Sequence, residues 1–185
     1  MKQILNSYQV TLTIDQIYRR IRNFSTDNLC FISILKGGIF TSQRLLDYFP
    51  NPDILVGYLG LSSYNNGTET QEKIKVTYPL DLTRGDLKEK NIILIDDVFD
   101  SGLTMMFAKS IINEIGRYNS LRTAVLVRKM NPRIKLWKEP GDLPDIVGFE
   151  FQDSGFLVGS GMGKGEHYRN LNGLFVLEPE EIKNG

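Results

Sequence analysis

A single cysteine, a single histidine and a single tryptophan stand among 185 residues. One cysteine cannot close an internal disulfide, and no second ligand lies close to it in the chain, so a disulfide scaffold and a paired redox centre are excluded. Cys30 sits inside the apolar run Leu29–Leu35 and reads as a small core residue. His167 lacks the Ser or Cys partner pattern of a nucleophilic centre and reads as packing or surface. Excess charge of either sign is also missing. Lys plus Arg is 22 and Asp plus Glu is 22, so the formal net charge is zero, which argues against a broad basic face for nucleic acid and leaves room only for a local basic pocket. No stretch approaches the roughly 20 apolar residues that a membrane helix needs, and Met1–Tyr8 has no apolar secretory core. These absences lead us to expect a cytoplasmic protein with neither nucleic acid nor membrane as partner.

What is present is a hydrophobic content of 41%, enough to build a core in one domain. Short apolar runs alternate with helix-like segments, which favours an α/β fold. Ile14, Ile17, Tyr18 and Ile21 mark one face of a helix over 14–23. Leu29–Leu35 is continuously apolar apart from Ser33, as a strand buried on both faces would be. Lys36-Gly37-Gly38 breaks it and 39–48 reads as a helix. Strands are predicted over 53–61 and 73–80, with a turn at Asn65-Asn66-Gly67 between them. Further strands are predicted at 92–95, 123–127, 145–151 and 174–177, and a helix over 104–115 that stops at Gly116. The leading architecture is a doubly wound, mostly parallel sheet with flanking helices, in which ligands bind at the carboxyl ends of the strands.

The most informative segment is Asn91–Thr104. A buried strand runs into Asp96-Asp97; Asp100 follows, and then Ser101-Gly102-Leu103-Thr104 opens a helix. Backbone N–H groups in such a turn form a nest for phosphate, and the two hydroxyls add donors. Adjacent acids do the opposite work: they accept bonds from vicinal hydroxyls and attract hydrated Mg²⁺. Acids followed by a phosphate nest match a sugar phosphate. The plain alternative is a pair of solvated acids ahead of an ordinary helix cap.

Ile92–Thr104 resembles the ribose-diphosphate motif of type I phosphoribosyltransferases. Ile34–Gly38, Ser62–Tyr64 and Pro144–Glu150, with its continuation to Leu171, resemble the hypoxanthine-guanine branch, in the order that family uses. The resemblance implies a core at about 24–150 and a small hood subdomain from about 1–12 and 150–185. It implies that Asp96 and Asp97 hold the ribose hydroxyls of phosphoribosyl pyrophosphate, partly through Mg²⁺ and water. Asp100 would take the proton from purine N7, and Ser101, Gly102, Leu103 and Thr104 would bind the 5′-phosphate. Lys36 and Gly37 would form a pyrophosphate loop, often with a cis peptide before the Lys, and Arg169 would meet the same diphosphate. Lys129 would donate to the purine 6-oxo oxygen, with neighbouring Arg128 leaving the register open by one. Phe156 would stack on the base, the Leu157 backbone would bond its edge, and Ser63 and Tyr64 would belong to a closing loop. A purine-salvage activity on hypoxanthine, with guanine as a further candidate, follows from the resemblance, as does a homodimer or homotetramer. Another base such as xanthine, or a non-catalytic sensor of purine nucleotide on the same fold, stays open.

The pattern breaks at Gly159–Gly165. Where we align Gly163, the family carries an Asp that contacts a second Mg²⁺ and lies near the purine 2-position; Glu166 or another acid would have to substitute, or the metal would rely on substrate and water. The same stretch fails as a nucleotide-triphosphate P-loop, because Val158 stands where its first Gly is needed and Gly165 where Ser or Thr should follow Lys164.

Overall fold

Alternating side chains along three neighbouring strands divide the interior into two layers. We describe them from a computed structural model that covers residues 1–24, 27–64, 73–130, 141–153, 155–178 and 180–181. In chain order the elements are β1 (Lys2–Asn6), α1 (Ser7–Arg22), β2 (Leu29–Leu35), α2 (Gly38–Leu46), β3 (Leu55–Tyr64), β4 (Lys73–Tyr78), β5 (Asn91–Phe99), α3 (Leu103–Ile115), β6 (Ser120–Lys129), β7 (Ile146–Phe151), β8 (Phe156–Val158) and β9 (Gly173–Leu177). The turn expected at Asn65-Asn66-Gly67 lies outside the described residues.

Six strands form one sheet in the order β4-β3-β2-β5-β6-β7. All its pairs are parallel except β3 with β4. Phe31 of β2, Ile93 and Ile95 of β5, and Ala124 and Leu126 of β6 face the layer built by Ile14, Ile17 and Ile21 of α1 and Leu45 of α2. Their sequence neighbours Cys30, Ile32, Ile92, Leu94 and Val125 face the opposite way, onto Met105, Ala108 and Ile112 of α3. Strands covered on both faces explain the near-continuous apolar runs. Each fully buried Ile, Leu or Phe contributes about 1.5–3 kcal/mol to this packing. The burial that places Cys30 in the core also pushes its thiol up to about 12, so it stays protonated.

Chain order reverses between β2 and β5. From β5 the chain runs outward through β6 to β7, and from β2 outward through β3 to β4. That switch point opens a crevice at the carboxyl ends of β2 and β5. A second sheet of three antiparallel strands, β1-β9-β8, joins the two ends of the chain. Its apolar side chains Leu5, Leu157 and Leu174 belong to the same buried cluster as α1. Among the described residues, no helix is long and apolar enough to cross a membrane.

Two expectations need correction. The first helix starts at Ser7, well before 14, because Asn6 caps it: Asn6 Oδ1 accepts from Gln9 N and Gln9 Oε1 accepts from Asn6 N, both at 2.9 Å. The strand carrying the acids does not stop at them. β5 continues to Phe99, with Val98 opposite Val127 and Phe99 opposite Arg128, so the neighbouring β6 ladder outweighs the poor strand propensity of Asp.

Candidate active site

One cleft of about 350 Å³ opens at the switch point. Its floor comes from the ends of β2 and β5. β2 delivers Lys36 and Gly37 immediately after Leu35, across a cis Leu35–Lys36 peptide bond. β5 delivers Asp96, Asp97 and, one residue past its end, Asp100. The two loops touch: Gly37 lies so near Asp97 that a Cβ built on it would sit 1.7 Å from Asp97 Oδ2.

Asp96 and Asp97 fold back on the chain. Asp96 Oδ1 accepts from Asp97 N at 2.9 Å, and Asp97 Oδ1 accepts from Val98 N at 2.7 Å. Burial first, and the Asp97 charge second, push the Asp96 carboxyl well above the ordinary carboxylate range. Burial also raises Asp97, against the pull of its hydrogen bonds and of Arg169. An acid raised in this way binds its proton more tightly folded than unfolded. Its ionisation therefore destabilises the fold, with no penalty below the unfolded range near about 4 and a growing one as pH rises through the folded value. Asp96→Asn is expected to raise the melting temperature of the ligand-free protein at pH 7.5, by about 2–4 °C for each kcal/mol relieved in a chain of this size, and to raise it less at pH 4.5. Thermal melts of both proteins at the two pH values check this; a variant that melts lower at pH 7.5 would contradict it.

Next to the acids, Gly102 caps α3 with φ of +81°, a left-handed backbone conformation that suits glycine, and among the described residues no side chain makes a cap hydrogen bond there. Its first-turn amides are thereby left at the cleft with Ser101 and Thr104 beside them. On the far wall, Lys129 ends β6 and is 7% exposed. Lys129 Nζ donates to Asp100 Oδ2 at 3.1 Å. Strand alternation resolves the register: Arg128 turns away to Glu150 on β7, while Lys129 lines the cleft. The three-stranded sheet lines the cleft with Phe156 and Leu157 of β8; Phe156 is 37% exposed and Leu157 buried.

The cleft thus gathers the residues singled out in the sequence, apart from two. Leu103 opens α3 but does not line the cleft, and of Tyr64 only the backbone, at the end of β3, is described. Ser63 does line it. Arg169 reaches the cleft with its fork committed: its two terminal nitrogens donate to Gly161 O and Gly165 O, both at 2.9 Å. Its Nε is buried and has no hydrogen-bond partner among the described residues. Gly163 also lines the cleft, and a Cβ there would lie 2.7 Å from His167 O and 2.8 Å from Arg169 Cγ, so no acid fits at 163 without moving this loop. Glu166 instead accepts from Lys36 Nζ at 2.7 Å. His167 is exposed, with its ring against Tyr168. Val98 and Met105 add apolar wall that the motif reading passed over. The signal for Val98 was the apolar pair Val98-Phe99 directly after the acids, which marks a strand still running.

Comparison with known proteins fits this geometry. Residues 2–154 match the family described as phosphoribosyl transferase domain. The chain belongs to the phosphoribosyltransferase family. The hypoxanthine-guanine phosphoribosyltransferase of Bacillus subtilis is 31% identical over 149 residues, which cover 80% of this chain and 76% of that one. The Dictyostelium discoideum enzyme of the same name is 29% identical over 187 residues, 97% of each chain. Among solved structures, a hypoxanthine-guanine phosphoribosyltransferase from Bacillus anthracis superposes with a TM-score of 0.81 at 27% identity, over 96% of this phosphoribosyltransferase and 99% of that one. A hypoxanthine phosphoribosyltransferase from Staphylococcus aureus, 23% identical, shares the fold with a TM-score of 0.81 over 97% and 92% of the two chains.

Proposed function

We propose that this phosphoribosyltransferase moves the phosphoribosyl group of phosphoribosyl pyrophosphate onto a purine carrying a 6-oxo group, with hypoxanthine as the first substrate and guanine as a further one, in purine salvage. The products are the nucleoside 5′-monophosphate and pyrophosphate. One observation carries the reading: the Lys129–Asp100 pair at 3.1 Å faces the same cleft as the two acids and the uncapped start of α3. A donor and a proton acceptor side by side suit the O6 and N7 edge of such a base. The acids and helix amides suit the ribose diol and the 5′-phosphate of its partner.

In this reading a purine nitrogen forms a bond to ribose C1 as the bond from C1 to the diphosphate oxygen breaks. Asp100 takes the N7 proton, and Lys129 polarises the oxo oxygen. Lys36 supplies charge to the diphosphate, and Arg169 holds the loop above it. The Leu157 backbone bonds the base edge, while Phe156 stacks on the ring. Ser63 and Tyr64 belong to a segment that shields the reacting ribose from water. Holding two substrates face to face supplies much of the remaining rate advantage.

Asp96 and Asp97 fit a divalent cation. Two carboxylates raised by burial gain from a positive charge beside them. Among the described residues, no group of three His, Cys, Asp or Glu side chains is placed to hold a metal alone. That suits Mg²⁺, which binds through one or two carboxylates together with substrate phosphates and water. Bound there, the ion would neutralise charge on the leaving diphosphate.

Incubation with phosphoribosyl pyrophosphate, Mg²⁺ and each of hypoxanthine, guanine, xanthine and adenine, followed by chromatography of the nucleotides, tests the proposal. We expect hypoxanthine to be converted and adenine, which lacks the oxo group that Lys129 meets, to be left. Product from xanthine alone would reassign the base. Tight binding of phosphoribosyl pyrophosphate with no product from any base would favour a sensor over an enzyme.

A further inference from the structure

Three charged side chains meet at the diphosphate end of the cleft. Glu166 Oε1 accepts from Lys36 Nζ at 2.7 Å, and Glu166 Oε2 lies 3.9 Å from Arg169 Nε. Lys36 and Arg169 both line the cleft. Glu166 lies on the loop whose carbonyls at Gly161 and Gly165 the Arg169 fork secures. A carboxylate has therefore been brought across 130 residues of sequence to the cation that the substrate diphosphate needs.

We propose that Glu166 is a resident competitor for the diphosphate: its carboxylate occupies Lys36 in the free protein, and substrate diphosphate or product pyrophosphate must displace it. The proposal rests on reading this cleft as a phosphoribosyl pyrophosphate site and deepens that reading. A carboxylate and a phosphoryl oxygen compete for the same ammonium donors, so only one of them can hold Lys36 at full strength. Lys36 keeps the Glu166 carboxyl below its ordinary range, so the competitor is anionic at neutral pH. The contact is also easy to open. The Lys36 and Glu166 side chains are 59% and 69% exposed, and exposed ion pairs are weak and screened by salt. Glu166 thereby lowers diphosphate affinity modestly and helps product pyrophosphate to leave. Base binding, which uses Lys129, Phe156 and Leu157, is untouched. Glu166 is a positioning residue in this scheme, because it acts through Lys36.

Calorimetric titration with inorganic pyrophosphate and Mg²⁺ decides the matter, with wild type, Glu166→Gln, Lys36→Ala and the double variant. We expect Glu166→Gln to bind pyrophosphate about two- to five-fold more tightly, the range an exposed ion pair allows, with a gain that shrinks at high salt. The gain should fall away in the Lys36→Ala background, as a coupled pair requires. In steady-state assays KM for phosphoribosyl pyrophosphate should fall while KM for the base stays constant. Equal or weaker pyrophosphate binding by Glu166→Gln, with wild type binding normally, overturns the role of Glu166 alone. A wild-type protein that binds no pyrophosphate overturns the reading of the cleft, and this inference with it.

Discussion

Asp100→Asn is expected to lower kcat by about 10²- to 10⁴-fold, the contribution of a positioned general acid or base. The amide keeps the size of the carboxylate and can still accept from Lys129, so the wall between Asp100 and Lys129 should hold its shape. It cannot take a proton from a purine nitrogen. Affinity for phosphoribosyl pyrophosphate, which we propose rests on Asp96, Asp97 and the start of α3, should change by less than about two-fold, since only an interaction made in the transition state is lost. Steady-state kinetics together with direct titration of phosphoribosyl pyrophosphate separate the two quantities. Turnover within about ten-fold of wild type, far short of what such a group supplies, would place the proton acceptor elsewhere.

Gly37→Ala should be nearly as damaging through sterics alone. A Cβ at 37 would fall 1.7 Å from Asp97 Oδ2 and 2.2 Å from Asp97 Cγ. Either the loop carrying Lys36 lifts, or Asp97 turns and gives up the bond it accepts from Val98 N. Both outcomes separate Lys36 from Asp96 and Asp97. A displacement of about 1 Å in a positioning group can lower the rate by about 10², so kcat/KM for phosphoribosyl pyrophosphate should drop by about that factor. The fold itself should tolerate the change, because the added methyl lies at a cleft wall and not within either apolar layer. Gly141→Ala is the control, since among the described residues a Cβ there meets nothing within 4 Å. Kinetics and melting curves on both variants test the argument; a Gly37→Ala protein with unchanged kcat/KM would show that the two loops are not coupled.

The parts of this molecule that could be read from residue order are those whose physics is local. The span Leu29–Leu35 declared β2 because a run so apolar has to be covered on both faces. The segment Asp96–Thr104 drew attention as a match for a sugar phosphate because acids and a helix start follow closely on one another, and the fold brings Asp96, Asp97, Asp100, Ser101, Gly102 and Thr104 to one cleft. Elsewhere the deciding partner was distant. β1 and β8 are five and three residues long, too short for a period to show, and both exist by pairing with β9 near the other end of the chain. Val98 and Phe99 stay in β5 because β6 lies alongside them, which nothing in Asp96-Asp97 reveals. Arg169 was expected at the diphosphate from the family resemblance, yet its fork is committed to two loop carbonyls. The Lys36–Glu166 contact had no sequence signal, since two oppositely charged surface residues far apart in a chain meet only when the fold brings them together. The start of α1 is different in kind: the Asn6 and Gln9 spacing was a capping signal available from the outset.

The loop carrying Lys36 and the loop carrying Asp96 and Asp97 spring from strands bonded directly to each other, with Ser33 level with Ile95. The gap between Lys36 and the paired acids is therefore gauged by main-chain amides and carbonyls, which every residue type carries alike. Side chains elsewhere can differ, provided the two apolar layers stay filled, while that gauge keeps its calibration. A relative sharing 23% of its residues can then retain a backbone that superposes with a TM-score of 0.81.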